Sequence, residues 1–190
     1  MELARQEALA NLSNPDLGMR RQAVARLALV GQQNDTPVLL NELLDPDLAT
    51  AKLAEAVLWH LWSHSGDEAV DAILSQGVDA MNQGMLAASV EFFDEAIKRK
   101  PAFAEAWNKR ATAYYLMGEY KKSLDDCDQV LKRNPNHFGA LAGYGQIYLQ
   151  LAEPRKAVAY FERALAINPN MDQVAELVER IHNKLGDQTI

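Results

Sequence analysis

Apolar residues recur every three or four positions along most of the chain, which is the spacing of one face of an α-helix. Runs that alternate apolar and polar residues, as strands do, are missing from the sequence. Three prolines, Pro101, Pro135 and Pro169, stand 34 residues apart, and each follows a segment long enough for two helices and a turn. The pattern therefore predicts antiparallel helix pairs that recur with a fixed period.

Aligned on these prolines, the units span about 70–103, 104–137 and 138–171. Equivalent positions carry similar side chains: a bulky residue near the start of the first helix, a small residue four positions later, and a turn residue between the helices. In the order of the units these are Ile73, Trp107 and Leu141, then Gly77, Ala111 and Gly145, then Gly84, Gly118 and Ala152. One such unit cannot bury its apolar face alone, so we expect the copies to stack.

This pattern resembles that of the tetratricopeptide repeat (TPR) family, W-x2-L-G-x2-Y, A-x3-F and a closing proline. The resemblance covers about 70–171 and implies an all-α fold, a right-handed α-solenoid of antiparallel helix pairs. Gln76 and Arg110 stand where the family usually has leucine. Pro154 replaces the aromatic residue that opens the second helix of the middle unit, Tyr120. Proline is tolerated in the first turn of a helix, because its missing N–H has no helical partner there.

Upstream of residue 66 a different motif recurs, since Asn14-Pro15-Asp16-Leu17 returns as Asp45-Pro46-Asp47-Leu48. We expect Asn14 and Asp45 to cap helices that begin with proline, and Thr36-Pro37 to open a short helix over 38–44. The turn, with the basic residue and apolar stripe after it, resembles the HEAT family of paired helices over about 10–64.

The sequence thus divides into a HEAT-like helical segment, 1–65, and a TPR domain, 66–190, joined at Ser65-Gly66-Asp67. Residues 172–186 place apolar side chains on one face of a helix and charged ones on the other. A solenoid needs a polar-backed terminal helix to cover its last unit, so we interpret this segment as a capping helix. Residues 186–190 are expected to fray.

Composition narrows the class of partner. The 190 residues are 48% hydrophobic, and the net charge of −7 argues against a surface for nucleic-acid phosphates. No apolar run is long enough for membrane insertion.

The single cysteine, Cys127, allows no internal disulfide and is expected to be a small buried side chain. The start of the chain lacks a secretory signal, so we expect a cytoplasmic protein, or alternatively the mature form of an exported or organellar protein whose leader has been removed.

Candidate chemistry is sparse. The sequence has no phosphate-binding glycine loop, nucleophile elbow or cofactor fingerprint, so we expect neither an enzyme nor a cofactor. His60 and His64 stand four apart on a predicted helix and share a face, which leaves a metal-binding protein as the weaker alternative. The acidic run Asp125, Asp126 and Asp128 is expected to form a solvated helical face.

The TPR resemblance implies a binding groove, because the first helix of each unit lines the concave face in that family. Projected onto this chain, the partner-binding candidates are Met81, Asn108, Lys109, Thr112, Tyr115, Gln146 and Leu149. Glu105 projects into the same groove, and Gly139, Ala142 and Gly143 would form a shallow floor. Lys109, Asn108 and Gln146 could bind a partner's backbone or carboxylate by hydrogen bonds. Met81, Tyr115 and Leu149 could provide apolar and aromatic contact.

One subset of the family clamps the C-terminal carboxylate of heat-shock chaperones with Lys, Asn and Arg side chains. The corresponding positions here hold Leu74, Val78, Lys109, Gly139 and Gly143, and none matches the clamp. The sequence therefore predicts a protein–protein interaction module, an adaptor or scaffold that binds a peptide or protein helix without that clamp. The alternative is a self-associating structural protein, a homo-oligomer. The identity of the partner does not follow from the sequence.

Overall fold

A computed structural model of the chain describes residues 1–187, and the last residues of the predicted domain, 188–190, lie outside them. Residues 1–187 form eleven α-helices and one 3-10 helix (Gln33–Asp35), with no strand among them. The helices are α1 (Glu2–Asn11), α2 (Leu17–Val30), α3 (Thr36–Glu42), α4 (Leu48–Trp62), α5 (Glu68–Asn82), α6 (Leu86–Arg99), α7 (Ala104–Leu116), α8 (Tyr120–Arg133), α9 (Phe138–Gln150), α10 (Pro154–Ile167) and α11 (Asp172–Asp187). The predicted all-α helical-repeat class is confirmed.

The helices pack into two compact units. The first contains Met1–His64 together with Ile167–Met171. The second contains Ser65–Ala166 and the residues from Asp172 onward. Within the part of the chain that is described, no helix combines the length and apolar character that a membrane span requires.

In the first unit, the predicted helix caps are wrong by two residues. The N-caps of α2 and α4 are Asp16 and Asp47, whose carboxylates accept hydrogen bonds from the N–H three residues downstream, at 2.9 and 2.8 Å. Asn14 and Asp45 instead accept from the backbone N–H of those caps, at 2.9 and 2.7 Å. Pro15 and Pro46 therefore lie in the turn before each helix, because the residue that follows each proline, Asp16 or Asp47, is the one that caps the helix.

Arg20 joins the two turns. Its Nε donates to Asp45 Oδ2 at 2.8 Å, and its Nη1 donates to the carbonyl of Asn14 at 3.1 Å. Asp45 is shielded from water, and the guanidinium of Arg20 lowers the pKa of its carboxyl. A second ion pair, Arg5 with Asp35, attaches α1 to the 3-10 helix. The core between these contacts is aliphatic, with Val24, Leu27, Leu39, Leu43 and Leu58 almost fully buried.

In the second unit, three helix pairs follow the predicted period: α5 with α6, α7 with α8, and α9 with α10. Two aromatic residues of the second helices, Phe93 and Phe161, are completely buried. Each ring lies against a glycine of the preceding helix, Gly77 or Gly145, where even a methyl group would collide with the ring. The small residue of each first helix is therefore required by close packing.

The turn between the helices of each pair uses a left-handed backbone. Gly84 and Gly118 have φ angles of 76° and 77°, and Ala152 takes the same place with a φ of 56°. α10 begins directly after this turn at Pro154. α11 packs its apolar face against the last pair, with Val178 and Ile181 in one cluster with Ala157, Val158 and Phe161.

Candidate binding groove

A cavity of about 200 Å³ opens between α7 and α9. Four predicted binding residues, Asn108, Thr112, Tyr115 and Gln146, lie together in its wall. Its full lining is Asn108, Ala111, Thr112, Tyr115, Ser123, Cys127, Gly139, Gly143, Gln146 and Ile147, and we call this surface the α7–α9 groove. Every lining residue comes from the second and third repeats, 104–137 and 138–171, so the stacking of two neighbouring helix pairs creates the cavity.

The floor of the groove is open because two of its residues, Gly139 and Gly143, have no side chain. A Cβ added to Gly143 would meet Cys127 Sγ at an ordinary contact distance of 3.8 Å. Cys127 itself is buried, as predicted, and burial together with the charges of Asp126 and Asp128 raises the pKa of its thiol to about 12. Its thiol is thus a neutral part of the floor at physiological pH and no nucleophile.

The polar groups of the groove are only partly used by the protein. Asn108 Nδ2 donates to Glu105 Oε2 at 3.1 Å, which fixes the amide. Thr112 Oγ1 donates to the Asn108 carbonyl at 3.0 Å, and Tyr115 OH accepts from Gln150 Nε2 at 3.3 Å. The half-buried side-chain amide of Gln146 makes no hydrogen bond to residues 1–187. The groove therefore presents amide donors and acceptors beside an aromatic ring, a set that suits an extended peptide backbone.

Glu105 departs from the sequence prediction, because it does not face the groove. It is 1% exposed, and its Oε2 lies 3.1 Å from Nε2 of the fully buried His137. The backbone N–H of Ala140 donates to His137 Nδ1 at 3.0 Å, so the ring proton resides on Nε2 and points at the carboxylate. His137 caps α9 in this way and joins it to α7 through Glu105.

The Glu105 carboxylate also binds Lys109, whose Nζ lies 3.1 Å from Oε1. Burial alone would raise the pKa of Glu105, but the hydrogen bond from His137 and the charge of Lys109 outweigh it, and the pKa is lowered. Lys109 is therefore tied to an internal carboxylate beside the groove. Sequence reasoning missed the pairing of Glu105 with His137 because the two residues stand 32 positions apart, although that interval is close to one repeat period.

The remaining two predicted residues lie elsewhere in the second unit. Met81 packs against the cluster of the first pair, which includes Val70, Leu74 and Phe93. Leu149 packs against the cluster of α10 and α11 and lines a separate cavity of about 310 Å³. We call that cavity the α11 cleft, and its lining is Leu149, Pro154, Leu177, Ile181, Lys184 and Leu185.

The expected solvated acidic face is wrong at Asp126. This residue is 4% exposed, and its carboxylate receives a bidentate pair from Arg110, with Nε–Oδ2 at 2.8 Å and Nη2–Oδ1 at 2.7 Å. Arg110 also binds Asp94 on α6. The departure from the family's leucine at position 110 is thereby explained, since a buried carboxylate accompanies the arginine. The positions one period later hold Tyr144 and Tyr160, whose rings stack at 4.3 Å.

His60 and His64 are neighbours on one helix face, as predicted, with ring centroids 4.4 Å apart. The Nδ1 of His64 lies 2.7 Å from the backbone carbonyl of His60, so one of its ring nitrogens is occupied by the helix itself. Among residues 1–187 no group of three or more His, Cys, Asp or Glu side chains is placed to hold a metal ion.

Comparison with known sequences identifies the repeat. Family profiles described as Tetratricopeptide repeat match residues 104–137 and 138–171, the second and third predicted units. A TPR repeat-containing protein of Rhizobium etli is 36% identical over 146 residues, covering 76% of this chain and 71% of that protein. Hsp70-Hsp90 organizing protein 1 of Glycine max is 24% identical over 162 residues, and this chain spans only 27% of its length.

Solved structures show the same fold. The Sgt2 TPR domain from Aspergillus fumigatus superposes with a TM-score of 0.60 at 20% identity, over 65% of this chain and 83% of that one. The first TPR of Spaghetti (RPAP3), bound to an HSP90 peptide, gives 0.59 at 19% identity, over 62% and 93%. With the Rhizobium relative covered over most of its length and two repeats matched by profile, the chain belongs to the tetratricopeptide repeat family.

Proposed function

We propose that this protein is an interaction module, an adaptor or scaffold that binds an extended peptide segment of a protein partner in the α7–α9 groove. The observation that carries the proposal is the cavity of about 200 Å³ with an open glycine floor and the groups of Asn108, Tyr115 and Gln146 in its wall. Extended chains expose backbone N–H and C=O groups that such amides can pair with. The ring of Tyr115 adds the kind of contact that dominates binding energies at interfaces.

The chaperone carboxylate clamp is not part of this proposal. Several relatives are named for heat-shock chaperones, and one solved neighbour holds an HSP90 peptide. In this chain, however, the position of the clamp's first lysine is Leu74, which is buried in the core of the first pair. Lys109, at the position of the second unit's asparagine, pairs with Glu105. We therefore propose that the partner is recognised through an internal segment and not through a terminal carboxylate.

A random peptide library displayed on phage tests the proposal. The unsubstituted chain should enrich a family of related peptides, and a blocked groove should lose them. Gly143→Leu fills the floor at a position where a Cβ meets no backbone, and Gln146→Arg removes the unused amide. Lys121→Leu on the exposed surface of α8 serves as the matched control. Binding of the enriched peptides should fall at least tenfold in both groove variants and stay unchanged in the control.

Two results would contradict the proposal: no enrichment over an empty matrix, or equal binding by the unsubstituted chain and both groove variants. Lys109→Glu is a poorer variant, because it would set a second carboxylate beside buried Glu105 and disturb the packing as well as the groove. Thermal melting of each variant separates loss of binding from loss of folding.

A further inference from the structure

We propose that the α11 cleft binds an aromatic side chain of the partner peptide, flanked by an acidic residue; this inference rests on the proposed peptide-binding function. The cleft is formed by α9, the start of α10 and the capping helix α11. A capping helix needs only to cover the last pair. This one also leaves an apolar opening beside Leu177 and Leu185, both partly exposed.

Three of the six lining residues of the cleft stand one period of 34 residues after lining residues of the α7–α9 groove. Leu149 follows Tyr115 by one period of 34 residues, and Ile181 follows Ile147 by the same interval. Ile147 lines the groove and Ile181 lines the cleft. The capping helix thus continues the repeat register as the first helix of an incomplete fourth unit, and the two openings are successive sites along one binding path.

The internal repeat also shows what the cleft lacks. In the middle unit Tyr115 and Tyr120 are in ring contact, with centroids 5.9 Å apart, and both pack against the cluster of Cys127 and Tyr144. One period later their equivalents are Leu149 and Pro154. Both rings are therefore replaced by smaller aliphatic groups, and the space is the cleft. A ring supplied by a partner would restore the aromatic packing of the middle unit.

The size and chemistry of the cleft suit such a ring. Its volume is about 310 Å³, whereas a cavity of ~150 Å³ with apolar walls already takes up benzene. Five of its six lining residues are aliphatic, and the sixth is Lys184. An indole or phenol ring can thus be buried against Leu177 and Ile181 with its edge toward the opening.

The position of Lys184 at the cleft favours an acidic residue beside the aromatic residue of the partner peptide. The side chain of Lys184 is exposed, and no carboxylate of residues 1–186 forms an ion pair with it. An acidic residue next to the partner's ring would find this ammonium at the rim. Adjacent packed helices lie roughly 10 Å apart, a distance that about three residues of extended chain span at 3.3 Å each. The structure therefore assigns the partner a backbone contact in the groove and an acidic–aromatic pair about three residues away.

Methyl NMR of the full chain tests the cleft without knowledge of the natural partner. The probe is the peptide Ac-Asp-Trp-Asp-NH2, with Ac-Asp-Ala-Asp-NH2 and Ac-Lys-Trp-Lys-NH2 as controls. We expect the tryptophan probe with aspartates to shift the methyl signals of Leu149, Leu177, Ile181 and Leu185. The alanine peptide should leave them in place. Lys184→Glu should weaken the acidic probe roughly two- to fivefold, as expected for an exposed charge pair, and favour the basic one.

Two filling variants complete the test. Pro154→Tyr restores the side chain found one period earlier, and Leu149→Tyr restores the other ring of that pair. Either should reduce affinity for the acidic tryptophan probe at least tenfold. If one variant has a lowered melting temperature, the affinity of the other variant for the probe is the test. If both have lowered melting temperatures, the test is the comparison of the three peptides on the unsubstituted chain.

The inference is overturned if the alanine and tryptophan probes act alike, or if the shifts occur at methyl groups away from the cleft. It is also overturned if a folded filling variant binds the probe as tightly as the unsubstituted chain. The outcome is separable from the proposed function, because Gly143→Leu and Gln146→Arg alter only the α7–α9 groove. If the chain binds the tryptophan probe but enriches no library peptides, the proposed aromatic site in the α11 cleft stands and peptide binding in the α7–α9 groove is refuted.

Discussion

Gly145 lies directly against the ring of Phe161, so that a Cβ built on this glycine would stand 2.5 Å from Cδ1 of the ring. Two residues earlier on α9, the same atom built on Gly143 would meet only Cys127 Sγ, at 3.8 Å. The two glycines of this helix thus have different reasons to lack a side chain. Packing requires the first, whereas the second leaves the groove floor open.

Alanine substitution separates these reasons. Gly145→Ala should lower the free energy of unfolding by about 1–2 kcal/mol, because overpacking costs more than the gain in helix propensity. Gly143→Ala should leave it unchanged or raise it by up to about 1 kcal/mol. Urea unfolding of both variants measures the difference. Equal effects at the two positions would show that the repeat register on α9 is misassigned.

The turn at Ala152 offers a stabilising change. Its φ of 56° lies in the left-handed region that costs a residue with a Cβ about 1–2 kcal/mol, while Gly118 holds the same place one unit earlier. Ala152→Gly should therefore raise the melting temperature, and Gly118→Ala should lower it. The gain is expected to stay below about 1 kcal/mol, because glycine loses more backbone freedom on folding. A lower melting temperature for Ala152→Gly would contradict the prediction.

The buried pair of Arg110 and Asp126 is costly to break from one side. Burial raises the pKa of the Asp126 carboxyl, and the hydrogen bond and charge of Arg110 act against that rise. Arg110→Tyr alone leaves the carboxylate unpaired and should destabilise the chain by roughly 3 kcal/mol. Adding Asp126→Tyr recreates the stacked arrangement of Tyr144 and Tyr160, and should recover most of that loss.

A double-mutant cycle by chemical unfolding gives the coupling between these two positions. A double variant as unstable as the sum of its single variants would show that the two repeats do not share this packing geometry.

The lowered pKa of Glu105 predicts an acid-sensitive contribution to stability. Its folded pKa lies below the ordinary value of about 4.3, so the ionised carboxylate stabilises the fold above that pH. This contribution is lost as the pH falls through the lowered folded pKa. Glu105→Gln should cost roughly 1–3 kcal/mol at pH 7, as expected for a lost charged hydrogen bond.

The difference between Glu105→Gln and the unsubstituted chain should then narrow below about pH 4. Urea unfolding of both proteins at a series of pH values measures it. A difference that stays constant across the acid range would exclude this carboxylate as the source.

Much of the fold could be predicted because the repeat is marked by residue types at fixed spacings within each 34-residue unit. The spacing of Pro101, Pro135 and Pro169 fixed the units, and the small residues at Gly77 and Gly145 marked close helix contacts. The caps of α2 and α4 were misassigned, because Asn14 and Asp16 can both accept from backbone N–H groups and local sequence does not rank them. The HEAT resemblance and the domain limits stay predictions.

The candidate site was predictable only in part. Helical periodicity places Asn108, Thr112 and Tyr115 on one face of α7, and the structure brings that face to Gln146 on α9. Periodicity did not reveal that Glu105 turns inward, because its partner His137 belongs to the turn before the next unit. Likewise the burial of Asp126 depends on Arg110 of another helix.

The central claim, that a peptide lies between α7 and α9, is tested most directly by backbone and side-chain amide NMR. A peptide enriched from the random library is titrated into the labelled chain. We predict that the largest shifts occur at Asn108, Thr112, Tyr115, Gly143 and Gln146, with little change at the exposed residues of α8 and α10. Shifts concentrated on α8 and α10, with those five signals unmoved, would contradict it.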